Sequence, residues 1–468
     1  MAPAGSGVIP KENMMLGVTL SRWTMSYFFA ALSALVAAEI MMVAGFGYPT
    51  AGLRAPETLI LVHVTTIGWL SLLMCGALFQ FAPVLIARRL YSDTLPLPAL
   101  LLVLAGLGLL LVGFVQLTGR LTALPSMLPL AGIILSAGFA VVLWNLGRTL
   151  WPARPLPLPA RFVATGLVSL ALTVAFGVIF VTVLGQQTNS EPMLAIASAA
   201  LPLHIAAGIG GWLTVTAVGV SYRLLAMFML APELGGARPK LVLAFAIAAL
   251  VAVVAVGLGA VLTGASLLIP LLAGGILALV SLVLYGADII HLYRARKRRF
   301  IELNSRMAIF ALASLAAAVV LAIALTALGR FNDGVGAVVF LLAFGWLSGL
   351  GLAKLYKIVA FLTWLECYGP VLGRMTTPRV QDLVVESRAR KWFLLYFLAV
   401  WLGTLALLIS QPIAFRVAVA AMLAATIGVV SEFVQTRLLS DVKTRSSEPD
   451  APDAVHRPHL LFSRSPSN

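Results

Sequence analysis

Two histidines, His63 and His204, stand inside stretches that are otherwise almost wholly apolar. An imidazole in that setting can ligate a metal ion or haem iron, or simply bond a backbone carbonyl. Glu39, in LVAAEIMMVAGF, is a third such group. A carboxylate there needs a proton, a cation or a metal beside it, because a lone charge in hydrocarbon is costly. Its candidate partners are a metal, Arg54 or His63. The plainer reading makes each histidine a structural ring and Glu39 a protonated acid bonded within a helix bundle. The other three histidines read differently. His291 adjoins the run RARKRR at a helix end, and His456 and His459 fall in a polar tail, where they make a weak metal-binding pair. Cys75 and Cys367 are too few for a disulfide framework or a zinc site and read as free thiols, one in a span and one in a loop. No hydrolase elbow, phosphate-cradling loop, HExxH or CxxC pattern occurs. Membrane chemistry, if the chain performs any, rests on His63, His204 and Glu39.

The elements that must hold these groups are membrane helices. Of 468 residues, 61% are hydrophobic and only 10% charged, and mean hydropathy is +1.03. Such a composition excludes a soluble domain and implies an all-α polytopic membrane protein. A spanning helix needs about 20 apolar residues. Stretches of that kind fall near 25–47, 59–86, 98–118, 126–147, 162–185, 195–230, 241–264, 267–292, 307–328, 335–363, 392–410 and 413–436. With the N-terminus placed in the cytoplasm, only Arg54, Arg120, Arg330 and Arg416 of the 32 Lys and Arg face outward. That asymmetry follows the positive-inside rule, so both termini are expected in the cytoplasm and the protein in a bacterial inner membrane. The net charge of +15 is then a retention signal and a contact with lipid headgroups, not a nucleic-acid surface. Residues 1–24 form a cytoplasmic N-terminus, 25–436 a membrane domain and 437–468 a disordered tail. The connection 364–392 is the longest internal loop and is expected to lie on the inner surface.

One line recurs three times: GWLSLLMCGALFQF from Gly68, GWLTVTAVGVSYRL from Gly211 and GWLSGLGLAKLYKI from Gly345. Aligned on Trp69, Trp212 and Trp346, Ser71, Thr214 and Ser348 follow at the second position. Small residues Gly76, Gly219 and Ala353 follow at the seventh, and Phe79, Tyr222 and Tyr356 at the tenth. The lines fall in the second, sixth and tenth spans. They divide the domain into units of four helices, about 25–147, 162–292 and 307–436. At helical spacing the Trp, the small residue and the aromatic share a face, and the small residue admits a close neighbour.

Twelve helices in three pseudo-symmetric groups of four resemble subunit I of the haem-copper oxidases, over about 25–436. In that family the metal-ligand histidines lie largely on the second, sixth, seventh and tenth helices. The stretch HVTTIGWLSLLMCGALFQFAPVL from His63 is similar to the second helix, with its ligand histidine near the outer end. The stretch HIAAGIGGWLTVTAVGVSYRLL from His204 is similar to the sixth, where a histidine binds copper in some oxidases. The resemblance implies haem or copper held by His63 and His204, with Glu39 as a further candidate ligand.

The chain also departs from the family. The tenth span offers Phe340 and Val338 where histidines would be needed, and the seventh span has none. The sixth has no tyrosine before Trp212 to serve as the cross-linked one. Dioxygen reduction requires a haem facing copper and a second haem feeding them. The expected protein is therefore a degenerate relative, not a competent terminal oxidase. It would bind one haem or one copper, for nitric oxide response, metal or haem handling, or oxidase assembly. In this it is similar to the haem- and copper-containing proteins of the bacterial nitric oxide response. Two alternatives stand beside it: a twelve-helix transporter without metal, and a structural subunit contacting another membrane subunit of a respiratory complex.

Overall fold

The computed structural model describes residues 21–121, 123–372, 376–442 and 458–463. Among them are twelve helices long and apolar enough to cross a membrane. They are α1 (Thr24–Val43), α2 (Pro56–Ile86), α3 (Pro96–Leu117), α4 (Leu128–Ala153), α5 (Leu158–Leu184) and α6 (Leu201–Met229). They continue as α7 (Arg238–Thr263), α8 (Leu268–Arg294), α9 (Leu303–Ala327), α10 (Phe331–Val371), α11 (Glu386–Leu408) and α12 (Pro412–Arg437). Runs of Leu, Ala and Val supply helix propensity and a lipid-compatible surface together. Prolines sit in the first turns of α2, α3, α5 and α12, where a missing N–H goes unneeded.

Successive helices pack as neighbours from α1 to α8 and again from α9 to α12, and α12 packs on α1. The innermost helices are those carrying the recurrent line. α2, α6 and α10 bury 61%, 56% and 78% of their apolar window, more than any other span. Each widens to π-helical turns across that line, at Val64–Ser71, Ala206–Val215 and Leu341–Ser348. A fourth such stretch, Val251–Val256, lies in α7.

The glycine that opens each line is a point of close approach. A Cβ on Gly68 would lie 2.9 Å from the Ala34 Cβ of α1. On Gly211 it would lie 2.3 Å from the Ser169 Oγ of α5, and on Gly345 2.7 Å from the Ser314 Cβ of α9. About two turns further into α2 and α6 the pattern repeats: a Cβ on Gly76 would meet Tyr27 at 2.6 Å, and one on Gly219 would meet Phe162 at 2.2 Å. The small seventh-position residues of α2 and α6 thus work as the sequence suggests.

Two expectations change. The loop 364–392 is shorter than expected, because α10 continues past Cys367, which is buried, and α11 begins at Glu386. Two charges in the first turn of α11 pair across elements: Glu386 accepts from Leu303 N and from Arg306, and Arg388 binds Glu432 and Asp441. The tail is placed in part. Residues 458–463 dock on the end of the bundle that carries Arg22 and Arg437: Ser463 N donates to Arg22 O (3.0 Å), and Arg437 donates to His459 O and Phe462 O. His459 stacks on Phe462, while His456 lies outside the described residues.

Candidate metal site between α2 and α6

α2 and α6 both start at the end of the bundle opposite Arg22 and Arg437, and their histidines lie near those starts. His63 lies seven residues into α2, about 10 Å along its axis. Its Nδ1 is 2.8 Å from the carbonyl of Leu59, one turn back. A neutral ring making that bond carries its proton on Nδ1, which leaves the Nε2 lone pair available. This is how metal-ligating histidines are commonly held, with one nitrogen tied to a carbonyl. The ring is half-buried and packs on Phe114 of α3, with centroids 5.1 Å apart.

His204 stands in the first turn of α6, just before its π-helical stretch. The backbone of Thr173 on α5 supports the ring, and Phe180 meets it edge-on at 5.4 Å. Its Nδ1 is buried and has no hydrogen-bond partner. The two imidazoles lie within electrostatic reach of each other. His63 and His204 thus stand on adjacent helices, each ring held by a backbone carbonyl or aromatic contact and each with one nitrogen uncommitted.

Glu39 lies elsewhere. It is fully buried on the side of α1 that faces α12, and its Oε1 accepts from Thr426 Oγ1 at 2.8 Å. Its Oε2 has no partner. Arg54 is exposed. Among the described residues no three His, Cys, Asp or Glu side chains gather as a group that could hold a metal ion, so His63, His204 and Glu39 do not form a three-ligand set.

Below the histidines, the recurrent line builds a polar thread through the centre. Trp69 Nε1 on α2 donates to Ser348 Oγ on α10 at 2.7 Å, and Trp212 Nε1 on α6 donates to Ser71 Oγ on α2 at 3.0 Å. Each tryptophan thus reaches the hydroxyl that follows the tryptophan of the next helix. Ser348 in turn donates to Ala343 O, five residues back, a bond that suits the π-helical turn. The third indole breaks the pattern: Trp346 Nε1 is buried without a partner.

Further polar groups are buried in the bundle. Lys354 on α10 is 6% exposed, lacks a hydrogen-bond partner and rests over the ring of Phe228 on α6. Arg437 on α12 and Glu366 on α10 form a buried ion pair at 2.6 Å. A lysine eight residues past Trp346 was a visible signal. The Arg437–Glu366 pairing was not, because it depends on the register between two helices.

No protein-family model and no curated protein matches the chain.

Proposed function

We propose that this chain is a multi-pass membrane protein of haem-copper oxidase-like architecture that holds one copper ion at His63 and His204 and serves in metal handling, not in oxygen reduction. The observation that carries the reading is the pair of imidazoles on adjacent helices, each with a free nitrogen, His204 Nδ1 being buried and unpartnered. Copper in its reduced state accepts few imidazole ligands, which suits a two-nitrogen donor set. Phe114 and Phe180 pack against the two rings and suit a single ion better than the slab of a haem. When bound, copper would supply ligand exchange or one-electron chemistry. The chain's own residues do the rest: the Leu59 carbonyl fixes the His63 tautomer, the Thr173 backbone supports His204, and the two phenylalanines keep water away.

The grouping into three sets of four helices belongs to this proposal. Its support is the recurrence of the π-helical stretch and the close-approach glycine on α2, α6 and α10, and of the Trp-to-hydroxyl bond from α2 and α6. The inner-membrane location and cytoplasmic termini rest on the charge asymmetry. The transporter reading draws on different groups, Glu39 and Lys354, whose unpartnered atoms sit inside the bundle as substrate- or ion-coupling groups would.

The test is anaerobic loading of the purified protein with copper(I), followed by desalting. The wild type retains copper in equal number to chains, and His63→Ala and His204→Ala each retain none. Equal retention by wild type and both variants would rule the site out.

A further inference from the structure

A cleft of about 330 Å³ opens between α4 and α5, far from the histidines, at the end of the bundle that carries Arg22 and Arg437. Its wall inside the bilayer is apolar: Leu143 and Leu150 from α4 face Leu167, Val168 and Ala171 from α5. Along α5 the lining runs from Ala164 to Ala171, about 10 Å of helix, which fits within one leaflet of a hydrocarbon core of about 30 Å. Its floor includes Gly147, where an added Cβ would meet nothing within 4 Å.

The mouth is of another character. Arg154 lines it with its guanidinium stacked 3.6 Å over the ring of Trp151, and no acidic side chain lines the cleft. Trp151 is 64% exposed. Beside it, Arg148 lies over the rings of Tyr91 and Trp144, and Arg161 donates to the carbonyl of Leu156. These three arginines make no ion pair with an acidic side chain among the described residues. An apolar slot within one leaflet, capped by an arginine held flat on an indole, has the two-part chemistry of one kind of partner.

We infer that the α4–α5 cleft is a binding site for an anionic glycerophospholipid, with an acyl chain in the slot and the phosphate at Arg154. Charge complementarity selects the headgroup: basic pockets between membrane helices recognise anionic lipids, and a guanidinium presents paired donors to phosphate. Trp151 sits at the depth where indoles anchor at the headgroup region. The missing side chain at Gly147 leaves room for the acyl chain.

The protein is reconstituted into phosphatidylcholine vesicles that contain a minor share of acyl-brominated phosphatidylglycerol or, in parallel, acyl-brominated phosphatidylcholine. Bromine quenches nearby indoles. Subtracting the signal of Trp151→Phe isolates Trp151 from the other tryptophans. The inference predicts stronger quenching of Trp151 by the brominated phosphatidylglycerol than by the brominated phosphatidylcholine. Arg154→Gln, a change at an exposed position, abolishes that excess. Gly147→Leu, which fills the slot, reduces quenching by both lipids. Equal quenching by the two lipids in the wild type, or an excess that survives Arg154→Gln, overturns the inference.

Discussion

At the scale of single residues, an indole buried without a partner is the informative case. Trp69 and Trp346 are both fully buried, yet only Trp69 spends its N–H on a hydroxyl, that of Ser348. Hydrogen bonds between membrane helices contribute on average about 0.6 kcal/mol, and up to about 1.7. Trp69→Phe is therefore expected to lower the unfolding temperature in detergent, through lost packing and a lost bond. Trp346→Phe loses similar packing but also removes an unsatisfied donor, and so is expected to cost less. Thermal unfolding of the two variants side by side checks this, and a larger loss for Trp346→Phe would contradict it. Residue types were also where the sequence spoke most clearly. His63, His204 and Glu39 stood out because a polar group among apolar neighbours is conspicuous. The partner each would choose was not visible: Glu39 faces Thr426 across 387 positions of chain.

At the scale of elements, the sequence carried the helices and the marked faces but not the π-helical turns. Counting faces at 3.6 residues per turn overrotates where bonds run to the fifth residue, as they do across the recurrent line in α2, α6 and α10. Counted at that period from Trp69 and Trp212, His63 and His204 fall on faces about 160° apart, an angle that the π-helical turns between each histidine and its tryptophan change. The close approaches give a sharp contrast between glycines. Gly219→Ala puts a methyl 2.2 Å from the Phe162 Cβ, whereas Gly108→Ala meets nothing within 4 Å. Overpacking of this kind typically costs about 1–3 kcal/mol, so Gly219→Ala is expected to lower the unfolding temperature while Gly108→Ala leaves it unchanged. The α10–α11 connection adds a pH dependence. Arg379 binds Asp382 through its side chain and backbone and holds that carboxyl below the usual range. A depressed folded-state pKa contributes stability above the unfolded value and loses it as pH falls through the folded one. Limited proteolysis within 376–385 should therefore quicken on acidification in the wild type and be fast at every pH in Asp382→Asn.

At the scale of the whole molecule, even helix count and chain ends agree: twelve spans return the chain to the side on which it began, and Ser463 bonds Arg22 there. The Arg437–Glu366 pair ties α12, α10 and the docked tail segment at that end. Removing one partner of a buried ion pair typically costs about 3–5 kcal/mol, since the other charge is left uncompensated, while replacing both can be nearly neutral. Glu366→Leu and Arg437→Met are thus each expected to destabilise more than the double variant, as read by thermal unfolding. The membrane class and span count were legible because lipid imposes length and composition on every helix. The tail's docking was not, because its contacts are backbone carbonyls that any sequence supplies. Elemental analysis with an absorption spectrum of protein purified from copper- and haem-replete cells tests the proposed centre at His63 and His204 most directly. Bound copper, no haem band, and loss of the copper in His204→Ala are the expected results. Metal-free, colourless protein, or a haem band that persists in both His63→Ala and His204→Ala, would contradict that assignment.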